Sequence, residues 1–430
     1  MIPSTGMVLR WKHVLLGLAI RELLAPFTGH PYDFELWARL GVYMQSLGNP
    51  YTGLYYYPGI SFWPKPLIGS ISYPPLAAFI FAVTYRLYVV LGEPSRFLYY
   101  LMLKQPMVLS DIGIAFLLAK ILLSSNNRDL ARTSSIIWLY FPFGIIVSSV
   151  WGALDPLALF LTLLAIYYML ESKYLISAFS LGVAILLKTI PVVALPAFLM
   201  QLRPDLRSGY RYAVISLAIP TVGTLVPIFL LNWGFKGAID NFSFQVSLPS
   251  PGAMSFLGAF FKMLSLSGPL ARIAGMLWIP ATLVAYAYVY YRRPPLISSI
   301  LVSLLVFSVS RQFLPEQWAL YPAALLLAMI NKSNLRHFLG ISISACAFLV
   351  VNNNSLVSFL APILGDLATS YTIPVLYYPI VRNLTLIITA GLFSAEALLT
   401  VAKRESFIWS IIAAASANFK TTLPDCMRNV

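Results

Sequence analysis

Charge is what this chain has least of. Asp and Glu together number 15 in 430 residues, Lys and Arg 29, and only 10% of positions carry a charge at all. So few charges cannot cover the surface of a water-soluble domain of this length. The three histidines and two cysteines are equally limiting, with Cys346 inside an apolar run and Cys426 near the C-terminus. That supply argues against both a disulfide framework and a Cys/His zinc cluster. There is no glycine-rich nucleotide loop, no CxxC and no HExxH, which weighs against soluble nucleotide chemistry. The basic excess raises the question of nucleic acid, but no soluble segment is long enough to present a basic face, so no nucleic-acid partner is expected. The cations read instead as topology signals and as contacts to anionic lipid or ligand.

What is abundant is apolar. Hydrophobic residues make up 59% of the chain, and its mean hydropathy is +0.80. The expectation is an all-α polytopic membrane protein. The first apolar run, 13–28, contains Arg21 and Glu22 and no small-residue cleavage site, so it reads as a retained helix and not as a removable signal peptide. A spanning helix needs about 20 apolar residues, and further runs fall at 74–91, 104–122, 134–151, 156–172, 174–188, 189–202, 211–231, 269–291, 296–312, 318–331, 338–351 and 383–402. Lys/Arg clusters at Arg10 and Lys12, Arg128 and Arg132, Lys173, Arg203 to Arg211, Arg292 and Arg293, Lys332 and Arg336, and Lys403 and Arg404 mark candidate cytoplasmic ends.

Putting all those clusters on one side requires the run at 74–91, which carries Arg86, not to span. It then lies as an interfacial or re-entrant helix within a large external loop, 29–103, and a second external loop covers 232–268. About twelve crossings remain, with a cytoplasmic tail over 403–430. The outer ends collect Asp33, Glu35, Lys65, Asp155, Lys188, Asp240, Arg311 and Glu316. Polar groups at such depths are costly unless they pair or line a wet cavity.

Each of these has a plain reading and a chemical one. Asp33 and Glu35, in "YDFELW", suit the positive end of a helix dipole, or they form a general base or metal-binding pair facing a membrane-bound substrate. Asp155, before Pro156 in "SSVWGALDPLALFL", is a helix N-cap on local grounds. Lys188, isolated in "ILLKTIPVV", needs an anion, either a ligand phosphate or Asp155 brought near by folding. Arg311 and Glu316 either neutralise each other across a short turn or serve a ligand. Lys104 and Asp111, seven apart and so on one helix face, read as an intramembrane structural pair.

Taken in order, these stretches resemble the GT-C superfamily of membrane glycosyltransferases, which use sugars carried on polyisoprenyl phosphates, and within it the GPI mannosyltransferase I family. The counterparts of that family's motifs are "DFE" at 33–35, "GNPY" at 48–51, "YPPLAA" at 73–78, Lys104 and Asp111 in "LKQPMVLSD", "SSVWGALD" at 148–155, "LKTIPV" at 187–192 and "PEQWALY" at 315–321. "DFELW" is also similar to the "DYE" stretch of the glucosyltransferases that extend the lipid-linked N-glycan precursor. The resemblance covers about 21–331. It departs from the mannosyltransferase pattern at Glu35, where that family has Asp, and in the second external loop, which matches only through "DNFS".

The resemblance implies a GT-C-type fold and an inverting transfer of a hexose, taken as mannose, from dolichyl phosphate to a glycan, glycolipid or protein-linked acceptor on the extracytoplasmic face of a cell or endoplasmic reticulum membrane. It implies Asp33 as base and Glu35 as its partner in orienting the acceptor or holding a divalent cation. Lys188 and Arg311 are the expected phosphate partners. Asp155, Glu316, Trp151 and Lys65 are the expected remaining contacts to substrate. The rival reading is a multi-pass lipid or solute transporter or flippase. Against it stand the lack of an internal repeat and charges at helix ends instead of at the midplane.

Overall fold

The computed structural model describes residues 9–51, 54–55, 57, 59–62, 67–68, 71, 73–124, 127–239, 254–264, 273–353, 355–371 and 373–412. Lys65 and Asp240 lie outside them. Within them the regular structure is helical except for one short antiparallel pair, Leu54–Tyr55 with Leu67–Ile68, in which Leu54 faces Ile68 and Tyr55 faces Leu67.

The helices follow the apolar runs closely. They are α1 (Trp11–Leu24), α2 (Asp33–Tyr43), α3 (Leu76–Val90), α4 (Arg96–Ser124), α5 (Arg128–Leu139), α6 (Pro142–Ile145), α7 (Asp155–Leu170), α8 (Tyr174–Leu187), α9 (Leu195–Gln201) and α10 (Leu206–Leu230). Later helices include Trp278–Arg292, Leu296–Ser310, Leu320–Ala328, Lys332–Asn352 and Pro379–Val401. Among the described residues, five helices are long and apolar enough to cross a membrane, or six if α5 and Pro142–Trp151, bent by 48°, form one span. Length alone therefore falls short of twelve crossings. The other runs form helices such as the 16-residue α7, the 14-residue α8 and the 15-residue Leu296–Ser310. At 1.5 Å per residue each spans less than the roughly 30 Å of a hydrocarbon core.

α4 is the central strut, packed against α3, α5, α7 and the π-helical turn at Ile146–Trp151. Apolar residues on α10, among them Val222, Val226, Phe229 and Leu230, stay exposed, as do Leu283, Val284 and Tyr291 on Trp278–Arg292. Such surfaces would drive aggregation in water and are the natural face for lipid. α3, 15 residues long, buries Ala77, Ala78, Phe81, Thr84 and Tyr88 and exposes Val83, Leu87 and Val90. It crosses α2 at Gly41, where a Cβ would meet the Tyr99 hydroxyl and come within 2.9 Å of the Phe81 carbonyl oxygen. Only glycine lets the two backbones approach so closely there.

The structure corrects the reading of Lys104 and Asp111 as partners of each other. Asp111 instead takes Arg21: Nε donates to Oδ2 at 2.8 Å, and Trp138 Nε1 and Ser148 Oγ donate to the same carboxylate at 2.9 Å each. Arg21 Nη1 donates to the Gly17 and Leu139 carbonyl oxygens at 2.8 and 2.9 Å. Every member is fully buried, so the pair ties α1, α4 and α5 together with its hydrogen bonds largely met. Glu22 accepts from Gln105 Nε2 at 2.8 Å.

Candidate active site

Asp33 opens α2, at the end of the helix where a carboxylate meets the positive dipole. Its side chain is 28% exposed, and Oδ2 accepts from Trp151 Nε1 at 3.1 Å. His30 completes the mount. Its Nδ1 accepts from the Asp33 backbone N–H at 3.0 Å and from that of Tyr32 at 3.3 Å, which leaves Nε2 to donate to Asn353 Oδ1 at 3.2 Å. Burial holds the imidazole pKa below its ordinary value, so the ring is neutral at physiological pH, as that bonding requires. The ring stacks on Trp151 at 4.4 Å and 11°. Asp33 is thus an accessible carboxylate of fixed orientation, which is the geometry a general base needs.

Lys104 builds the floor beneath it. Its buried ammonium donates to the carbonyl oxygens of Ala25 (2.9 Å), Thr28 (2.6 Å) and Ser149 (2.7 Å), and lies 4.5 Å from the Phe34 ring centroid. It therefore joins the end of α1, the start of α2 and the turn that carries Trp151. Gly152 closes that turn at φ +79°, and a Cβ there would sit 2.9 Å from both Lys104 Cε and Phe34 Cδ2. We expect Gly152→Ala to cost on the order of 1–3 kcal/mol of stability through backbone strain and this clash, and to lower any Asp33-dependent activity by moving Trp151. Melting curves in detergent check the first effect, and an unchanged melting temperature would contradict it.

Glu35 lies apart from Asp33. Two positions along a helix place it on another face, fully buried, where its Oε1 accepts from Arg39 Nε at 2.6 Å and meets Arg39 Nη2, while Oε2 accepts from the Phe62 N–H at 3.2 Å. The two acids do not converge on one point, so they do not form the donor set of a shared cation. Among the described residues no three His, Cys, Asp or Glu side chains come together as a metal site.

Other elements bring their ends to the same place. Lys188, which ends α8, donates to Asp155 Oδ2 at 2.5 Å from across the space between α7 and α8, and its ammonium lies 5.0 Å from the Tyr73 ring centroid. The anion that Lys188 needs is therefore Asp155. Glu316, beyond Leu296–Ser310, accepts from Asn352 Nδ2 at 2.5 Å. Asp33 is near enough to both Asp155 and Glu316 to be felt electrostatically by each. Arg311, 7% exposed, lies 5.0 Å from the Trp318 ring centroid and 5.3 Å from that of Phe307.

Burial, with a smaller push from Asp33, raises the Glu316 carboxyl from 4.5 to about 7. A raised acid favours the folded state most fully below its unfolded pKa, and that contribution is lost as pH rises through the folded pKa. Glu316→Gln keeps an acceptor for Asn352 and removes the titration. Its melting temperature should match the wild type near pH 4.5 and exceed it above pH 7, by the equivalent of about 3 kcal/mol at 1.36 kcal/mol per unit. Parallel melting curves across that window would contradict the assignment.

With this geometry in place, the chain can be set beside known proteins. Neither a family model nor a curated protein sequence matches it. Solved structures do. The chain is similar to ArnT from Cupriavidus metallidurans bound to undecaprenyl phosphate, with 16% identity and a TM-score of 0.48, over 92% of this chain and 78% of that one. It is similar to the same protein in the apo state, with 15% identity and a TM-score of 0.47 over the same shares. At this degree of likeness neither comparison assigns a role to any residue here.

Of the site residues expected from sequence, Asp33 and Trp151 meet directly, Lys188 and Asp155 meet directly, and Glu316 joins them through Asn352 beside Asn353. Glu35 turns to Arg39, and Lys65 lies outside the described residues. The sequence alone does not single out His30, Asn353, Tyr73 or Tyr321, the last a buried tyrosine on Leu320–Ala328 that feels the charge of Asp155. A histidine three before the acid in so histidine-poor a chain was a usable signal for His30. Tyr73 stood inside "YPPLAA" and Tyr321 inside "PEQWALY", but nothing local marked their side chains.

Proposed function

We propose that the chain is an integral membrane glycosyltransferase of GT-C type, which takes a hexose, with mannose as the working assignment, from dolichyl phosphate and places it with inversion on an acceptor hydroxyl at the extracytoplasmic face. The observation that carries this reading is Asp33, a partly exposed carboxylate held by Trp151 and neutral His30 where α2, α7 and α8 bring their polar ends together. The ordered set of motifs from "DFE" to "PEQWALY" supports it.

In this mechanism Asp33 accepts the proton of the acceptor hydroxyl as its oxygen attacks the anomeric carbon. The bond from that carbon to the phosphate oxygen breaks, and dolichyl phosphate leaves with the electron pair. Arg311 stabilises the charge that grows on the leaving phosphate. Lys188, expected from sequence to share that task, acts through Asp155 instead. Arg311→Gln should slow transfer by roughly 10- to 100-fold, since the lost interaction is one realised in the transition state. Single-turnover kinetics with labelled dolichyl phosphate mannose test this, and a normal rate would remove Arg311 from the phosphate site.

A further inference from the structure

Beside Asp33 lies a group of buried polar atoms that the transfer step does not use. Asp155 is fully buried, and while Oδ2 holds Lys188, Oδ1 has no hydrogen-bond partner among the described residues. Tyr321, 1% exposed, likewise leaves its hydroxyl without a hydrogen-bond partner among the described residues. The two come from separate elements, the start of α7 and the helix Leu320–Ala328. They are nonetheless neighbours: the two helices pack against each other, and the Lys188 ammonium that holds Asp155 lies 5.0 Å from the Tyr73 ring centroid, so that Tyr321 feels the charge of Asp155, and Tyr73 that of Asp155 and Asp33.

Each unmet buried polar atom costs roughly 1–3 kcal/mol. Folded proteins keep few of them, and they keep them where something else supplies the bond. The chemistry here narrows what that is. Lys188 neutralises Asp155, so the group carries no net charge and does not suit a phosphate. It offers one strong acceptor and one hydroxyl able to give or take a bond, and it borders the carboxylate that acts as base. A neutral, polyhydroxylated ring fits those terms.

We propose that Asp155 Oδ1 and Tyr321 Oη form the subsite that reads the hydroxyls of the donor's sugar ring, with Lys188 as the positioning residue that fixes Asp155. The assignment rests on the transferase reading above, and it adds that recognition of sugar and of lipid phosphate is divided between Asp155 with Tyr321 on one side and Arg311 on the other.

Comparing a sugar-loaded lipid with a bare one tests the division. Affinities of the purified full chain in detergent are measured for dolichyl phosphate mannose and for dolichyl phosphate, in the wild type and in Tyr321→Phe, which removes one hydroxyl and leaves the ring. The variant should bind the mannose-bearing lipid roughly tenfold more weakly, the worth of one hydrogen bond, and the bare lipid as well as the wild type does. Should Tyr321→Phe not fold, Asp155→Asn combined with Lys188→Gln, which removes the carboxylate without leaving a buried charge unpaired, must give the same split. Equal binding of both lipids by variant and wild type, or equal weakening for both, overturns the subsite and leaves the transferase reading standing. Wild-type protein that binds neither lipid overturns both.

Discussion

Asp33→Asn should lower sugar transfer by roughly 100-fold or more, which is the usual contribution of a general base. The substitution preserves shape and can keep the acceptor for Trp151 Nε1, so the mount of His30, Trp151 and Asn353 survives. Because the carboxylate acts on the acceptor's proton, affinity for dolichyl phosphate mannose should stay within about twofold of the wild type, and the loss should appear in turnover. Glu35 offers no substitute, since its carboxylate is buried against Arg39 and the Phe62 N–H. Glu35→Gln should instead lower stability by weakening a buried pair. Near-normal transfer by Asp33→Asn would move the base elsewhere.

Lys188→Gln should destabilise the fold by about 3–5 kcal/mol, because it leaves the Asp155 carboxylate buried without its cation. Combining it with Asp155→Asn should recover most of that loss, since removing both charges removes the unpaired one. The double variant should still transfer poorly, with Asp155 no longer presenting a carboxylate oxygen to the sugar. Melting temperatures of the two single variants and the double variant, taken in the same detergent, measure the coupling. A Lys188→Gln protein that melts like the wild type but no longer binds bare dolichyl phosphate would return Lys188 to the phosphate.

Helix positions were legible because an apolar run has no competing explanation in so hydrophobic a chain. α7 begins at Asp155 and α8 ends before Lys188, as the polar interruptions in the sequence suggest. Partners were less legible. Spacing of seven puts Lys104 and Asp111 on one face of α4 but about 10 Å apart along its axis, and each found nearer groups on other helices. Glu35 and Arg39 stand four apart, the spacing of a helical ion pair, and that local signal was available beside the catalytic reading of Glu35. The roles of Tyr73, Tyr321 and Asn353 depend on contacts between distant segments, such as His30 with Asn353, and no local pattern encodes those. The pairing of Lys188 with Asp155 lies between the two cases, since the need for an anion was readable and the identity of the anion was open.

In the proposed function a lipid-linked sugar is cleaved and transferred at Asp33. The most direct measurement incubates purified wild-type and Asp33→Asn protein, in vesicles, with dolichyl phosphate mannose labelled on the sugar and with membrane extract as the source of acceptor. The wild type should release dolichyl phosphate while the label moves to a new product, and Asp33→Asn should do so roughly 100-fold more slowly. Movement of the intact labelled lipid between leaflets with no release of dolichyl phosphate, equally in both proteins, would contradict it and favour a transporter.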